Sequence, residues 1–238
     1  NQRKKPDVLV LPELWNTGYD LKRIKALADK EGVPSIPWIQ EMAKKGQVNI
    51  VAGSIADRRP SPNQDQDEQI YNSSYIINRD GEILARYDKV HLLRLRAEDK
   101  CFTPGSEAVT FELEGISCGV VIGHDLRFPE FVRKLALLGA KVLFIPAQWP
   151  KPRPMHWKLL NIVRAIENQF YVVAVNRVGQ DKNLSFPGLS LVANPWGELL
   201  LEGDDQPGLL TTVIDIDVID QVRRHMSVFE DRRPETYG

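Results

Sequence analysis

The chain has few of the residues that bind metals or form disulfides. Two of its 238 residues are cysteine and four are histidine. The cysteines, Cys101 and Cys118, have neither metal-ligand spacing nor the density of a disulfide framework. The histidines contain no His-x-x-x-His pair. The sequence therefore predicts no metal site, and we expect no cofactor.

An excess of charge of either sign is also missing. Lys plus Arg number 31 and Asp plus Glu number 32, so the net charge is −1. Such a chain has no field that would attract nucleic acid or an anionic membrane. No apolar run approaches the ~20 residues of a membrane span, and the basic first residues are not followed by the apolar core of a signal peptide. We expect no nucleic-acid or membrane partner and, with so few cysteines, a cytoplasmic protein.

The residues that are present predict one mixed α/β domain over 1–238. The composition is 42% hydrophobic and 26% charged, as in ordinary globular domains. Short apolar or alternating runs predict strands at 7–12, 48–54, 70–78, 83–87, 116–122, 141–146, 171–176, 190–193, 198–201 and 210–216. Helical spacing predicts helices at 21–30, 38–45, 129–138, 156–169 and 218–225. We expect residues 58–68 to be a surface loop and the tail from Phe229 to be extended.

Three positions directly follow predicted strands, where the active sites of α/β folds gather. Glu13 follows the first strand, Lys89 follows the second strand of a hairpin turned at 80–81, and Gly123 lies between a strand and a helix. Each alone is unremarkable, since carboxylates and lysines are usually exposed and glycine often marks a tight turn.

Glu13 and Lys89 lie within two of five short motifs, and Gly123 directly precedes a third. The five motifs are Leu-Pro-Glu (11–13), Tyr-Asp-Lys-Val-His-Leu (87–92), His-Asp-Leu-Arg-Phe-Pro-Glu (124–130), Arg-Ala-Ile-Glu-Asn (164–168) and Pro-Trp-Gly (195–197). With these motifs the chain resembles the nitrilase superfamily of carbon–nitrogen hydrolases over nearly its whole length. The resemblance implies an α-β-β-α sandwich of two mixed sheets of roughly six strands each. It also implies that an N-terminal strand and helix found in relatives are missing before residue 1, which would expose a sheet edge.

The resemblance further implies a Glu-Lys-Cys mechanism on an amide. A cysteine at position 123 would attack the carbonyl, expel ammonia and form a thioester that water hydrolyses. Glu13 would be the general base and Lys89 would stabilise the oxyanion, helped by the backbone N–H of His124. Glu98 matches a second glutamate that orients the lysine and the substrate.

A longer segment resembles the ω-amidase subgroup, which acts on the ω-amides of 2-oxo acids. It is Ala-Gln-Trp-Pro-Lys-Pro-Arg-Pro-Met-His-Trp at 147–157. Because such substrates carry a carboxylate, Arg153 is the candidate anchor and Trp149 a candidate substrate contact, although Trp149 and Trp157 also suit packing. Family members commonly dimerise, so we expect a homodimer or higher homo-oligomer with contacts from 156–169 and the tail.

Position 123, however, holds glycine, which has no side chain to form the thioester. Loss of a nucleophile in covalent hydrolases costs on the order of 10⁴–10⁶ in rate. Cys118 is predicted to point to the opposite face of its strand, and Cys101 lies in a loop. Leu189 also stands where the amidase subgroup usually has histidine.

Three functions therefore stay open. The first is an amidase of the ω-amidase type with a compromised nucleophile. The second is an inactive protein of this fold that binds a small amide or carboxylate or serves as an oligomer subunit. The third is a nitrile- or carbamoyl-cleaving relative.

Overall fold

The computed structural model describes residues 5–61, 67–181 and 184–237. Its first sheet has six strands: β1 Val8–Val10, β2 Asp29–Lys30, β3 Asn49–Val51, β4 Ile55–Arg59, β5 Gln69–Ile77 and β6 Ile83–Asp88. The order is β1-β3-β5-β4-β2, with β6 also paired to β5. β1–β3 and β2–β4 are parallel and the pairs with β5 are antiparallel, so the sheet is mixed.

The second sheet also has six strands. They are β7 Thr110–Leu113, β8 Ile116–Val120, β9 Val142–Ala147, β10 Tyr171–Asn176, β13 Leu191–Ala193 and β14 Leu199–Glu202, in the order β14-β13-β10-β9-β8-β7. Its three central strands, β8, β9 and β10, are parallel. A small hairpin, β11 Val178–Gln180 and β12 Ser185–Pro187, stands apart from both sheets.

Five α-helices accompany the sheets in the described residues: α1 Ile24–Leu27, α2 Ser35–Gly46, α3 Pro129–Leu137, α4 Pro154–Asn168 and α5 Asp217–His225. The side chains of β3 alternate between the two faces of its sheet, and this shows how the layers form. Ile50 packs with α2 on the outer face of the first sheet, while Val51 packs against the second sheet. On the far side, α3 and α4 cover the outer face of the second sheet. The layers are therefore α-β-β-α, and the predicted fold is confirmed.

The predicted helix at 21–30 is wrong at its C-terminal end. A 3₁₀ turn at Leu21–Arg23 leads into α1, and the following residues Asp29–Lys30 form a strand beside β4. The Asp29 carboxylate accepts hydrogen bonds from Asn16 Nδ2 at 3.1 Å and from the Ser35 amide at 3.0 Å. These tertiary bonds override the local helical pattern.

The predicted strand at 210–216 is also wrong. The segment forms no ladder with any described strand, and Val213 is 81% exposed. Ile214 and Ile216 pack against the cluster between the sheets. The apolar alternation therefore reflects an extended segment with one face in contact with the core, rather than a paired strand.

Two predicted irregular segments need correction as well. Arg58 and Arg59 belong to β4, where Arg59 is buried, lies 2.8 Å from Asp88 and stacks on Tyr71. The rest of the predicted loop includes residues 62–66, which lie outside the described residues. The tail is not extended throughout, since Pro234–Thr236 forms a 3₁₀ turn.

Candidate active site

The site is built where strands of both sheets end. Glu13 follows β1, Lys89 comes directly after β6, Gly123 follows β8 and Gln148 comes directly after β9. The sandwich brings these four ends together, so that residues far apart in the sequence line one cavity.

Three buried ionisable side chains form the core of the site. Lys89 Nζ lies 2.8 Å from Glu13 Oε1 and 3.0 Å from Glu98 Oε1. Lys89 is 2% exposed, Glu13 3% and Glu98 0%. In so dry a place charges must be paired and hydrogen-bonded to be tolerated. The arrangement therefore holds the ammonium between two carboxylates in a fixed geometry.

Further hydrogen bonds fix the Glu13 carboxylate. Asn72 Nδ2 donates to Glu13 Oε1 at 2.9 Å, and the backbone amide of Gln148 donates to Oε2 at 2.9 Å. The Gln148 side chain donates to the Glu13 carbonyl oxygen at 2.6 Å. Both carboxylate oxygens are thus engaged.

Glu98 is held in the same way from the β6–β7 connection. The Leu93 amide donates to its Oε2 at 2.7 Å, and the Tyr19 hydroxyl donates to its Oε1. Burial, and then the nearby charge of Glu13, raise the pKa of Glu98 well above its usual range. Two carboxylates therefore face one ammonium, and the raised pKa of Glu98 favours its protonated form.

His124 lines the cavity next to Gly123 and is half-buried. Burial, and then the nearby Lys89 and Arg127, lower the pKa of His124 to about 4. Its imidazole is therefore neutral at physiological pH. The ring packs edge-on against Phe128, with centroids 5.4 Å apart.

Gly123 occupies the turn in a conformation that favours glycine. Its φ is +44°, in the left-handed region. A Cβ placed on it would lie 2.5 Å from Glu13 Oε2. The general-base candidate therefore fills the space that a side chain at 123 would need, and any larger residue would require the carboxylate to turn away from the Gln148 amide.

The cavity has a volume of about 260 Å³. Its buried end is formed by Glu13, Lys89, Glu98 and Gly123, and its more exposed lining includes Arg96, Arg127 and Arg153. Within the described ranges, no carboxylate forms an ion pair with these three arginines. Burial, and then repulsion by Arg153, lower the pKa of Arg127. The lining therefore offers unneutralised positive charge to an anionic group.

Trp149 and Arg153 take different places in this lining. Trp149 is buried in the core cluster with Trp157, and its Nε1 donates to the Arg153 carbonyl oxygen at 2.8 Å. Arg127 lies over its ring at 4.5 Å. Arg153 is exposed. Both predicted substrate contacts line the cavity, but Trp149 is mainly a packing residue that also supports Arg127.

Neither cysteine lies among the described residues that line the cavity. Cys118 is buried in the cluster between the sheets, where burial raises the pKa of its thiol to about 12. Cys101 contacts a different cluster, and its thiol pKa is also raised, first by burial. A raised pKa leaves little thiolate to act as a nucleophile.

Several residues of the site were missed by the sequence analysis. Gln148 follows β9 directly, so the reasoning that found Glu13 and Lys89 could have found it. Arg127 was quoted within a motif but given no role. Asn72 lies in the middle of β5 and Tyr19 in a loop, and nothing in their local pattern marks them.

Leu189 is not among the described residues that line the cavity. It packs against the core cluster under α3 and α4. It has φ +57°, and its carbonyl oxygen accepts a hydrogen bond from Trp157 Nε1 at 2.7 Å.

In the described parts of the chain, no three His, Cys, Asp or Glu side chains come together in a way that could hold a metal ion. None of the helices found there has the length and apolarity to cross a bilayer.

The family model for carbon-nitrogen hydrolase matches residues 2–224. The chain belongs to the carbon–nitrogen hydrolase family, as its motifs predicted. It is 44% identical over 236 residues to a 2-oxoglutaramate amidase of Bacillus subtilis (strain 168), covering 99% of this chain and 88% of that protein.

Solved structures support the same assignment. A CN-hydrolase superfamily protein of Xanthomonas campestris with an arsenic adduct in its active site superposes with a TM-score of 0.87 at 29% identity, covering 98% of this chain and 86% of that one. A Glu-to-Gln mutant of the amidase from Nesterenkonia sp. AN1, with acrylamide added at its active-site cysteine, has a TM-score of 0.76 at 26% identity, covering 93% of this chain and 85% of that one.

Proposed function

We propose that this cavity is an ω-amidase-type site, which takes a small amide carrying a carboxylate at its far end, such as the ω-amide of a 2-oxo acid. We further propose that, with glycine at position 123, the protein binds this ligand with little or no hydrolysis. The observation that carries the proposal is the buried Lys89, bonded to both Glu13 and Glu98 beside the backbone of Gly123.

The roles of the residues follow from their geometry. Lys89 is a fixed cation in a dry site, which suits it to stabilise charge that develops on an amide oxygen. The backbone N–H of His124, one residue after Gly123, is the candidate second donor. Glu13 is the candidate general base, because its Oε2 lies against the place of a side chain at 123. Glu98 orients Lys89 and, with its raised pKa, is a candidate proton donor to the ligand.

The cavity itself supports the class of ligand. A volume of about 260 Å³ is at the small end for ligand pockets and suits a metabolite of few atoms. Arg153, Arg127 and Arg96 supply positive charge away from the Glu13–Lys89 end. An amide at one end and a carboxylate at the other match this polarity. The relative from Bacillus subtilis is named for 2-oxoglutaramate, which has such a structure.

Position 123 supports binding without turnover. The amidase of Nesterenkonia carries its acrylamide adduct at a cysteine. Gly123 offers no atom for such a bond, and Glu13 Oε2 fills the adjacent space. The glycine at position 123 therefore favours a binding role for the chain as it stands.

The test is calorimetric titration of the protein with 2-oxoglutaramate and with succinamate, followed by recovery of the ligand. We expect binding, with the amide recovered intact over hours. Lys89→Met is the matched variant, because it removes the cation but not the arginines, and it should weaken binding. Robust release of ammonia by the unaltered protein would contradict the proposal, and so would the absence of binding of either amide.

We also propose a homo-oligomer. One side of α4 presents Met155, Leu159, Val163 and Ile166 with 43–63% of each side chain exposed. A stripe of this kind on a surface helix is typical of an association surface. The described tail contributes exposed Tyr237 but no comparable stripe.

A further inference from the structure

One buried carboxylate joins the two chain segments that carry Lys89 and Gly123. Asp125 is 0% exposed and lies two residues after Gly123. Its Oδ2 accepts hydrogen bonds from the Tyr87 hydroxyl at 2.7 Å and from the Ile122 amide at 2.9 Å. Its Oδ1 accepts from the His91 amide at 2.8 Å and lies 2.8 Å from His91 Nδ1.

The donors come from only two places in the chain. Tyr87 and His91 flank Lys89, two residues before and two residues after it. Ile122 immediately precedes Gly123. Asp125 therefore fixes the end of β6 and the turn after β8, which belong to different sheets, against each other.

We propose that Asp125, with Tyr87 and His91 as donors, is a positioning residue that fixes the distance and orientation of Lys89 relative to residue 123. The inference rests on the proposed function, in which Lys89 stabilises charge on an amide attacked from position 123. Asp125 does not line the cavity, so it acts through its neighbours rather than on the ligand.

The chemistry of the four contacts supports a carboxylate at this position. A carboxylate only accepts, and each of its oxygens has two lone pairs, so four donors satisfy it fully. An amide at 125 would turn an NH₂ group toward at least one of these donors and lose that bond. Burial, and then the charge of Asp125, raise the pKa of Tyr87 well above its usual range, so its hydroxyl stays a donor.

The aromatic residues around His91 fix the imidazole. Its ring stacks on Phe128 with centroids 3.6 Å apart and 10° between the planes, and it meets the edge of Phe131 at 5.2 Å. His91 is therefore held on both sides with Nδ1 directed at Asp125.

The test uses the Gly123→Cys variant, because a thiol at 123 reports on the neighbouring charge directly. Iodoacetamide alkylation of Cys at 123 is followed against pH by peptide mass spectrometry, together with kcat and KM for ammonia release from 2-oxoglutaramate. The thiol would face opposing charges, Lys89 and the Glu13 carboxylate that lies against its Cβ, so the alkylation midpoint of Gly123→Cys itself serves as the reference. Adding Asp125→Asn should raise the midpoint above that reference, because Lys89 would lie farther from the thiol.

In the kinetic measurement, Asp125→Asn should lower kcat by about 10- to 100-fold, as a misplacement of roughly 1 Å can. KM should change less than kcat, because the arginines are untouched and Lys89 is displaced rather than removed. Tyr87→Phe and His91→Phe each remove one bond and should give smaller shifts in the same direction. These two variants decide the question if Asp125→Asn does not fold.

Asp57→Asn is the matched control. Asp57 is also 0% exposed, and it accepts bonds from the Tyr75 hydroxyl at 2.7 Å and the Gly32 amide at 2.8 Å, but it joins other segments. It should lower stability without moving the alkylation midpoint.

The outcomes separate the two proposals. Absence of ammonia release by Gly123→Cys would contradict the proposed function, while the effect of Asp125→Asn on the alkylation midpoint would still test positioning. A midpoint that Asp125→Asn leaves unmoved, or that Asp57→Asn moves as much as Asp125→Asn does, would overturn the positioning role.

Discussion

The most demanding structural prediction concerns Lys89→Met. In the part of the chain that the structure describes, Lys89 is the one cation in contact with Glu13 and Glu98, whose carboxylates are 3% and 0% exposed. Removing one member of a buried ion pair leaves uncompensated charge and costs about 3–5 kcal/mol. For a chain of this size, such a loss lowers Tm by roughly 6–20 °C. We expect a shift in this range at pH 8.

The loss should depend on pH in a definite direction. The pKa of Glu98 is raised in the folded protein, so the folded state holds more protons than the unfolded state between the usual pKa of 4.5 and the raised value. Stability contributed by this group therefore falls as pH rises through that window. At pH 5.5 Glu98 is protonated more fully, and Lys89→Met should cost less than at pH 8.

Thermal unfolding followed by circular dichroism at the two pH values provides the assay. Adding Glu98→Gln to Lys89→Met should recover part of the loss at pH 8, since the amide carries no charge. Lys158→Met is the control, because Lys158 pairs with Glu202 at 2.8 Å while 39% exposed, and such pairs contribute about 0–1 kcal/mol. Equal, small effects of Lys89→Met and Lys158→Met would refute the reasoning.

Three further predictions concern the turn, the cavity lining and the surface of α4. Gly123→Ala should destabilise the protein more than Gly179→Ala in urea titrations. Both glycines have positive φ, which costs an alanine about 1–2 kcal/mol, but only the Cβ at 123 would also contact Glu13. Arg153→Ala should weaken binding of succinamate about tenfold or more in calorimetry, through a lost charge-assisted bond of about 1.5–3 kcal/mol, and leave butyramide unaffected. Leu159→Glu, on a side chain 51% exposed, should shift the sedimentation coefficient toward that of a monomer.

The sequence predicted those site residues best that directly follow a strand. Glu13 and Lys89 follow strands whose apolar pattern is clear, and in a sandwich such ends meet at one place. The turn at Gly123 was visible because a buried strand, a glycine and a proline-started helix follow one another. The family motifs then supplied the roles that are proposed for these positions.

Other parts of the site depend on tertiary contacts that local pattern does not encode. Asn72 reaches Glu13 from the middle of a strand, across 59 residues. Tyr19 reaches Glu98 across 79 residues. The crowding between Glu13 Oε2 and residue 123 is likewise a property of packing, since the two are distant in sequence.

In the fold, too, local pattern predicted some elements correctly, while others depend on tertiary contacts. Helices α2, α3 and α4 were predicted because each buries one face with regular spacing. The segment 210–216 was misassigned because alternation indicates only that one face is buried, and it does not tell whether a neighbouring strand is available for pairing.

The central claim is that residue 123 stands in the place of a nucleophile in an otherwise complete site. Ammonia release from 2-oxoglutaramate, measured side by side for the unaltered protein and Gly123→Cys, tests it most directly. We predict little or no release by the unaltered protein and turnover by the cysteine variant, since Glu13 and Lys89 position and polarise but cannot form a thioester. Equal, robust release by both proteins would contradict the claim.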